Sequence, residues 1–318
     1  PVAGSRRLSC SNPKTQSWKY ETNKTLRVKI SNNKNLIMIA IDDLYDEYKV
    51  MSVNEKEDES KSKFYKHIMK SITQYKNQIQ TLTNIKSIYG LSSIKFHDDN
   101  FEKVINRDHD VLPIKNGLIM DLKTGIVRKR TKKDLFSHEC PVNFINKSEW
   151  TKEDKENNDK FFGQIHMNNK EYIEYKKIIL GSYLTGSCLN RQIDIDHGMG
   201  KNGKSTIIDA LALILGDFCG YIGKDVIVFD SKLKKMSASA NAHTSHLIPI
   251  IGKRLIVTNE LEEDDEINSD IIKKIASGDV IEKMRACYGK ETYSYKPFCK
   301  LLISSNVIPK FNIQDQAI

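Results

Sequence analysis

The sequence predicts an α/β fold with a central parallel sheet, preceded by a mostly helical region that carries small β elements. Three observations predict it. The segment Gly198-Met-Gly-Lys-Asn-Gly-Lys-Ser-Thr206 fits G-x-x-x-x-G-K-[ST] and runs into an apolar helical pattern. Two later apolar runs, 255–257 and 301–303, each lead into polar residues, the pattern of buried parallel strands with polar tips. Upstream, apolar residues recur every three or four positions from 64 to 88, the period of an amphipathic helix.

The 318 residues suffice for two domains with cores of their own. A hydrophobic fraction of 39% and a charged fraction of 29% fit a globular protein. No apolar run approaches the roughly 20 residues of a membrane helix. Fifty Lys and Arg against 41 Asp and Glu leave a formal charge of +9, which favours a polyanionic partner. Six cysteines without CxxC spacing argue against a zinc ribbon or disulfide framework and for a reducing compartment. The first residues hold no apolar signal core and no initiator Met, so they read as an internal piece of a longer chain or an odd start, not as a targeting segment.

In chain order, residues 1–35 are polar and without period. Residues 36–41 read as a short buried strand and 42–48 as a short helix. Residues 54–63 read as a linker or solvated helix start, and 64–88 as one amphipathic helix or two. Residues 111–114, 118–122 and 126–130 read as small strands joined by turns at Asn116-Gly117 and Lys123-Thr-Gly125. Residues 150–158 read as a polar loop entering a helix. Residues 172–189 read as a helix with Tyr172, Tyr175, Ile178, Ile179 and Leu184 on one side. The expected division is a linker or remnant over 1–60, a helical and β domain over 61–188, and the loop-bearing core over 189–318.

The loop's residue types suit a triphosphate. Gly198, Gly200 and Gly203 let the backbone curl so that successive N–H groups converge on phosphate oxygens. Asn202 lies within the loop, Lys204 would reach the β- and γ-phosphates, and Ser205 would hold Mg²⁺, followed by Thr206. The strand before the loop, 192–197, alternates polar and apolar, which suits a half-buried strand better than a central one. Asp194-x-Asp196 could hold a metal, but with no third ligand nearby the structural reading is preferred. His243 and His246 likewise read as part of a polar loop.

Hydrolysis needs an acid near the attacking water and a polar group at the γ-phosphate. Glu260, after the run 255–257, is the candidate acid and metal-shell ligand, with Asp264 and Asp265 in a solvated loop beyond it. Asn306, after the run 301–303, is the candidate sensor. Between them, 280–286 and 292–296 could pair as a hairpin. Arg285, Tyr288 and Lys290 near its tip are the nucleic-acid candidates, against the alternative of a solvated hairpin with a buried Tyr.

These residues together resemble the superfamily 3 helicases, specifically the poxvirus-type primase-helicases of large DNA viruses and related phages and plasmids. The resemblance covers roughly residues 64–318. It rests on the loop, Gly252-Lys-Arg-Leu…Glu260, Ser277-Gly-Asp279…Arg285…Tyr288, and Phe298…Lys300…Ser304-Ser-Asn306-x-x-Pro309. It implies an AAA+-like P-loop ATPase that binds ATP and Mg²⁺ between subunits of a homo-oligomeric, hexameric ring. Such a ring translocates on single-stranded DNA and unwinds forked duplex in replication, beside a primase domain or subunit. Lys204 and Ser205 would be its Walker A residues, Glu260 the Walker B acid, Lys290 the hairpin contact and Asn306 the sensor. The location implied is intracellular, at a replication site in the host cytoplasm for a large DNA virus. The family's arginine finger would fall beyond Ile318. The alternative is therefore an ATP-binding, DNA-binding assembly module without full hydrolysis. A small-molecule kinase using the same loop is a third reading, against which the 278–300 segment argues.

Overall fold

The computed structural model describes residues 6–12, 17–22, 36–54, 58–95, 101–131, 133–229, 245–284 and 292–311. The first described elements, β1 (Arg6–Asn12) and β2 (Ser17–Thr22), form a two-stranded sheet. Beyond it the described residues separate into two compact units, one of helices up to residue 102 and one from residue 103 onward.

The first unit holds α1 (Leu36–Asn54), α2 (Glu59–Ile79) and α3 (Leu82–Lys95), and the short α4 (Phe101–Val104) falls at the division between the units in sequence. The strand expected over 36–41 is instead the first turn and a half of α1. No turn residue separates that apolar run from the acidic segment after it, and an apolar run of this length does not distinguish strand from buried helix. Met38 is fully buried, and α1 is tied to α2 by an ion pair of Asp42 with Lys76. Of the 54–63 stretch, residues 59–63 are the largely exposed start of α2, with Asp58 Oδ1 accepting from the amides of Ser60 and Lys61, both at 3.1 Å. The expected 64–88 pattern forms two helices. Of its apolar positions Ile72 is buried, whereas Phe64, Tyr75 and Leu82 are exposed.

The second unit begins with an antiparallel meander of β3 (Val111–Ile114), β4 (Leu118–Asp121) and β5 (Val127–Lys129). Its first turn places Asn116 and Gly117 both at positive φ, the geometry that Asn-Gly favours. In the second turn Asp121 Oδ1 accepts from the amides of Lys123 and Thr124. Next come α5 (Lys152–Ile165), begun by a reciprocal Thr151–Asp154 capping box, and α6 (Lys170–Ser182), capped by Asn169. Helix α6 ends earlier than its sequence pattern, and the side expected to carry Tyr172, Tyr175, Ile178, Ile179 and Leu184 is divided, since Ile179 and Leu184 pack against the core. Tyr172, Tyr175 and Ile178 are exposed, while Lys176 is buried on the side that meets the sheet.

The rest forms β6 (Ile193–His197), α7 (Lys204–Leu215), β7 (Cys219–Tyr221), β8 (Leu255–Asn259), α8 (Ser269–Ser277), β9 (Ile281–Met284), β10 (Tyr293–Tyr295) and β11 (Lys300–Ser305). Strands β6, β11, β8 and β7, in that order, make an all-parallel sheet. Its composition follows the order. Central β8 and β11 are buried nearly throughout, whereas β6, at the edge among the described residues, keeps its Ile-Asp-Ile-Asp alternation.

Both faces of the sheet are covered. Leu255, Val257 and Leu302 pack with Ile207, Leu211 and Leu215 of α7, together with Leu112 and Ile119 of the meander. Ile256, Leu301 and Ile303 face the other way, toward Ile272 and Ile275 of α8 and the β9–β10 hairpin. Arg254, 1% exposed, fastens the meander to the sheet. Its guanidinium donates to the carbonyls of Leu184, Asp108 (3.1 Å) and Val111 (2.6 Å) and lies 4.6 Å from the Phe218 ring centroid. Burial pulls its pKa down to about 10.

Candidate functional site

The carboxyl ends of the parallel strands are level with one another. Ser304 of β11 stands opposite Asp196 of β6 on one side and Asn259 of β8 on the other, and Ser305 stands opposite His197. One residue further on, Gly198, Asn306 and Glu260 therefore share a rim. Open α/β sheets bind ligands at this end of their strands.

The loop leaves β6 and enters α7 through Gly203, which holds a left-handed φ of 84°. Any Cβ there would sit 3.0–3.1 Å from the branched carbons of Ile165 at the end of α5, so α5 forms the loop's back wall. Lys201 is also left-handed, at φ 65°. The Lys204 ammonium donates to the Gly198 carbonyl, to Asn202 Oδ1 at 3.1 Å and to Asn306 Oδ1 at 3.0 Å. Ser205 and Thr206 are exposed on the first turn of α7.

Helices α2, α5, α6 and α8 each begin with a side chain accepting a first-turn amide, from Asp58, Thr151, Asn169 and Asn268 respectively. Helix α7 begins with Gly203 and has no such side-chain bond. Its first-turn amides and positive dipole end are thereby presented to an external anion beside a lysine.

Glu260 follows β8 with a left-handed φ of 62°, and its amide donates to the Ser304 carbonyl at 3.1 Å. A bulky residue held there carries a conformational cost of roughly 1 kcal/mol or more, which the strand neighbours must offset. The side chain is exposed at the rim. The arrangement can hold a polyanion through amides and one ammonium, with an amide and a carboxylate available at its far side.

Asp196 forms a buried ion pair with Lys176, and Asp194 Oδ1 accepts from Gln192 at 3.3 Å, so the Asp194-x-Asp196 pair is structural. Asp265 is braced by Lys224 at 3.2 Å, and exposed Asp264 pairs with Lys310 at 2.7 Å, both in the loop beyond Glu260. His246 lies in a 3₁₀ turn, and His243 lies outside the described residues. Strands β9 and β10 pair antiparallel as expected. The hairpin base is anchored by buried Tyr295, whose Oη accepts the Gly252 amide at 2.8 Å under the Arg107 guanidinium. Arg285, Tyr288 and Lys290 lie outside the described residues.

Three residues have supporting roles that the sequence alone does not reveal: Ile165, Lys176, and Arg254, which is otherwise quoted only within Gly252-Lys-Arg-Leu. A cation within an apolar helical stretch, or immediately before a fully apolar strand, was the available signal for the last two. Ile165 left none, because its partner is a backbone position far along the chain.

Residues 5–177 match a family model described as D5 N terminal like, and residues 197–317 match a family of unknown function, DUF5906. "Putative helicase L207/L206" of Acanthamoeba polyphaga mimivirus is 28% identical over 219 residues, covering 69% of this chain and 22% of that protein. "Putative helicase V13" of Sputnik virophage is 28% identical over 158 residues, covering 49% of this chain and 19% of that protein. The chain thus spans about a fifth of the length of these curated relatives. Among solved structures, the apo NrS-1 C-terminal region is similar at 15% identity and TM-score 0.36, covering 59% of this chain and 42% of that one. A second structure of that region gives 14% identity and TM-score 0.38, with 64% and 46% covered.

Proposed function

The chain belongs to the D5 N-terminal-like family, and from that premise we propose that it is the motor portion of a primase-helicase of viral type. It binds and hydrolyses ATP with Mg²⁺ on an AAA+-like, P-loop core of the superfamily 3 kind. The energy drives translocation on single-stranded DNA and unwinding of forked duplex during replication. The working form is a homo-oligomeric ring, hexameric by resemblance, associated with a primase domain or subunit at an intracellular replication site. Among the described residues no helix is long and apolar enough to cross a membrane.

The observation that carries the reading is the meeting of Lys204 and Asn306 at the mouth of an uncapped helix, on a rim shared with Glu260. The residues fit the ligand. The first-turn amides of α7 and the Lys204 ammonium grip the β- and γ-phosphates. Ser205 and Glu260 would hold Mg²⁺, which when bound supplies positive charge to the phosphoryl oxygens. Glu260 orients the attacking water and accepts its proton. Asn306 donates its amide to the γ-phosphate while its oxygen keeps Lys204 in line. Arg285, Tyr288 and Lys290, which fall between β9 and β10 in the sequence, take the DNA strand. The two viral relatives named as helicases support the same reading.

Calorimetry with Mg-ATP and DNA-stimulated ATPase assays on a full-length protein test it. Wild type should bind ATP in a magnesium-dependent way, and Lys204→Ala should abolish binding or turnover. Unchanged turnover in that variant would reject the reading.

A further inference from the structure

Away from the loop, α5, α6 and the 3₁₀ turn Lys147–Glu149 enclose a cleft of about 400 Å³. That volume falls within the usual range for small-molecule sites, about 300–1,000 Å³. Half-buried Trp150 and Phe162 give it two aromatic walls. Three lysines stand around it, one from each element: Lys147, Lys155 and Lys177. Lys177 lies 5.4 Å from the Phe162 ring centroid and also pairs with Glu174 at 3.1 Å. Lys147 and Lys155 have no ion pair among the described residues. Asn158, beside Asp159 on the same wall, adds a polar edge.

We propose that this cleft is a second nucleic-acid contact: it takes one unpaired base of a single strand between Trp150 and Phe162, with the strand's phosphates passing the three lysines. Aromatic faces accept any base, and an indole and a phenyl ring on separate elements suit stacking of a flat guest. The cations are dispersed over three elements instead of converging on one point. Dispersed lysine point charges track a passing backbone, whereas a single terminal phosphate calls for converging donors such as those of the loop. Phe162 also lies one helical turn before Ile165, the residue packed behind Gly203. Strand contact here thus acts on the helix that backs the loop. The inference does not depend on the loop binding ATP.

Trp18→Phe leaves Trp150 as the one indole in the chain, so its fluorescence reports the cleft. Titration of that variant with a ~15-nucleotide oligothymidylate, without ATP, should give saturable quenching. By anisotropy of a labelled strand, Trp150→Ala and Phe162→Ala should each weaken binding about tenfold, and Trp150→Phe should restore most of it. Lys155→Glu should lower the salt dependence of binding by about one ion. The same effects should persist in Lys204→Ala, which separates this site from the loop. Unchanged strand affinity in a folded Trp150→Ala protein would overturn the proposal. So would quenching by ATP alone that disappears in Lys204→Ala, which would make the cleft the base end of the loop's own nucleotide.

Discussion

Lys204 and Asn306 stand 102 positions apart in the sequence, yet the lysine ammonium lies 3.0 Å from the asparagine side-chain oxygen. The bond joins the first residue of α7 to the residue after β11, so the loop and the central strand tip hold one another in place. Asn306→Ala should lower ATP turnover by about 10²-fold, while Mg-ATP affinity stays within a few-fold. Steady-state kinetics and calorimetry on the same protein check the split. Equal losses in both would make Asn306 a binding residue only.

Gly203→Ala brings two penalties together: a left-handed backbone for a residue with a Cβ, and crowding against Ile165 at 3.0–3.1 Å. The expected loss is about 2 kcal/mol, seen as a melting point roughly 5 °C lower. Adding Ile165→Ala should relieve the crowding and leave the backbone cost, so calorimetric scans of the single and double variants separate the two.

Arg254→Met should destabilise the second unit by about 3–5 kcal/mol, because the carbonyls of Leu184, Asp108 and Val111 lose their shared donor in the interior. Arg254→Lys should fail to rescue it, since one ammonium cannot span three acceptors on two segments. Denaturant midpoints decide. Melting points within a degree of wild type for Met would reject the role.

His138 gives a pH dependence. Burial, assisted by the Lys253 charge, lowers its pKa to about 4, whereas the unfolded side chain titrates near 6.5. Between those values the unfolded chain binds a proton that the folded chain refuses. Stability therefore falls as pH drops through that window, by up to ~1.4 kcal/mol per unit from this residue. His138→Gln should show a shallower decline between pH 7 and pH 5 in urea melts; an unaltered slope would assign the effect elsewhere.

How much could be read beforehand varied with the kind of residue. The turn at Asn116-Gly117, the meander and the β9–β10 hairpin were legible because each rests on neighbouring residues. The tips ending near Glu260 and Asn306 were legible because parallel core strands are written as apolar runs. The alternation of β6 was visible, but its cause was not: among the described residues it is an edge strand, and its Asp196 is matched by Lys176 from a helix. The same distance in sequence hid the outward side of α6. Tyr172 and Tyr175 carry the expected period, but the flank that meets the core holds Ile179 and Leu180 together with a lysine whose counter-charge lies on β6. Residues 36–41 were misread because an apolar run fixes neither conformation nor burial: it opens a helix in which Met38 is buried and Ile39 is exposed.

The grip of Arg254 on Asp108, Val111 and Leu184 bears on how the protein can be shortened. A clone begun at residue 189, just ahead of the loop strand, would keep the guanidinium and discard all three acceptors. Such a fragment should be recovered as aggregate, while one begun at residue 103 should purify as a monodisperse species. The smallest fragment that folds by itself is thus longer than its signature motifs suggest.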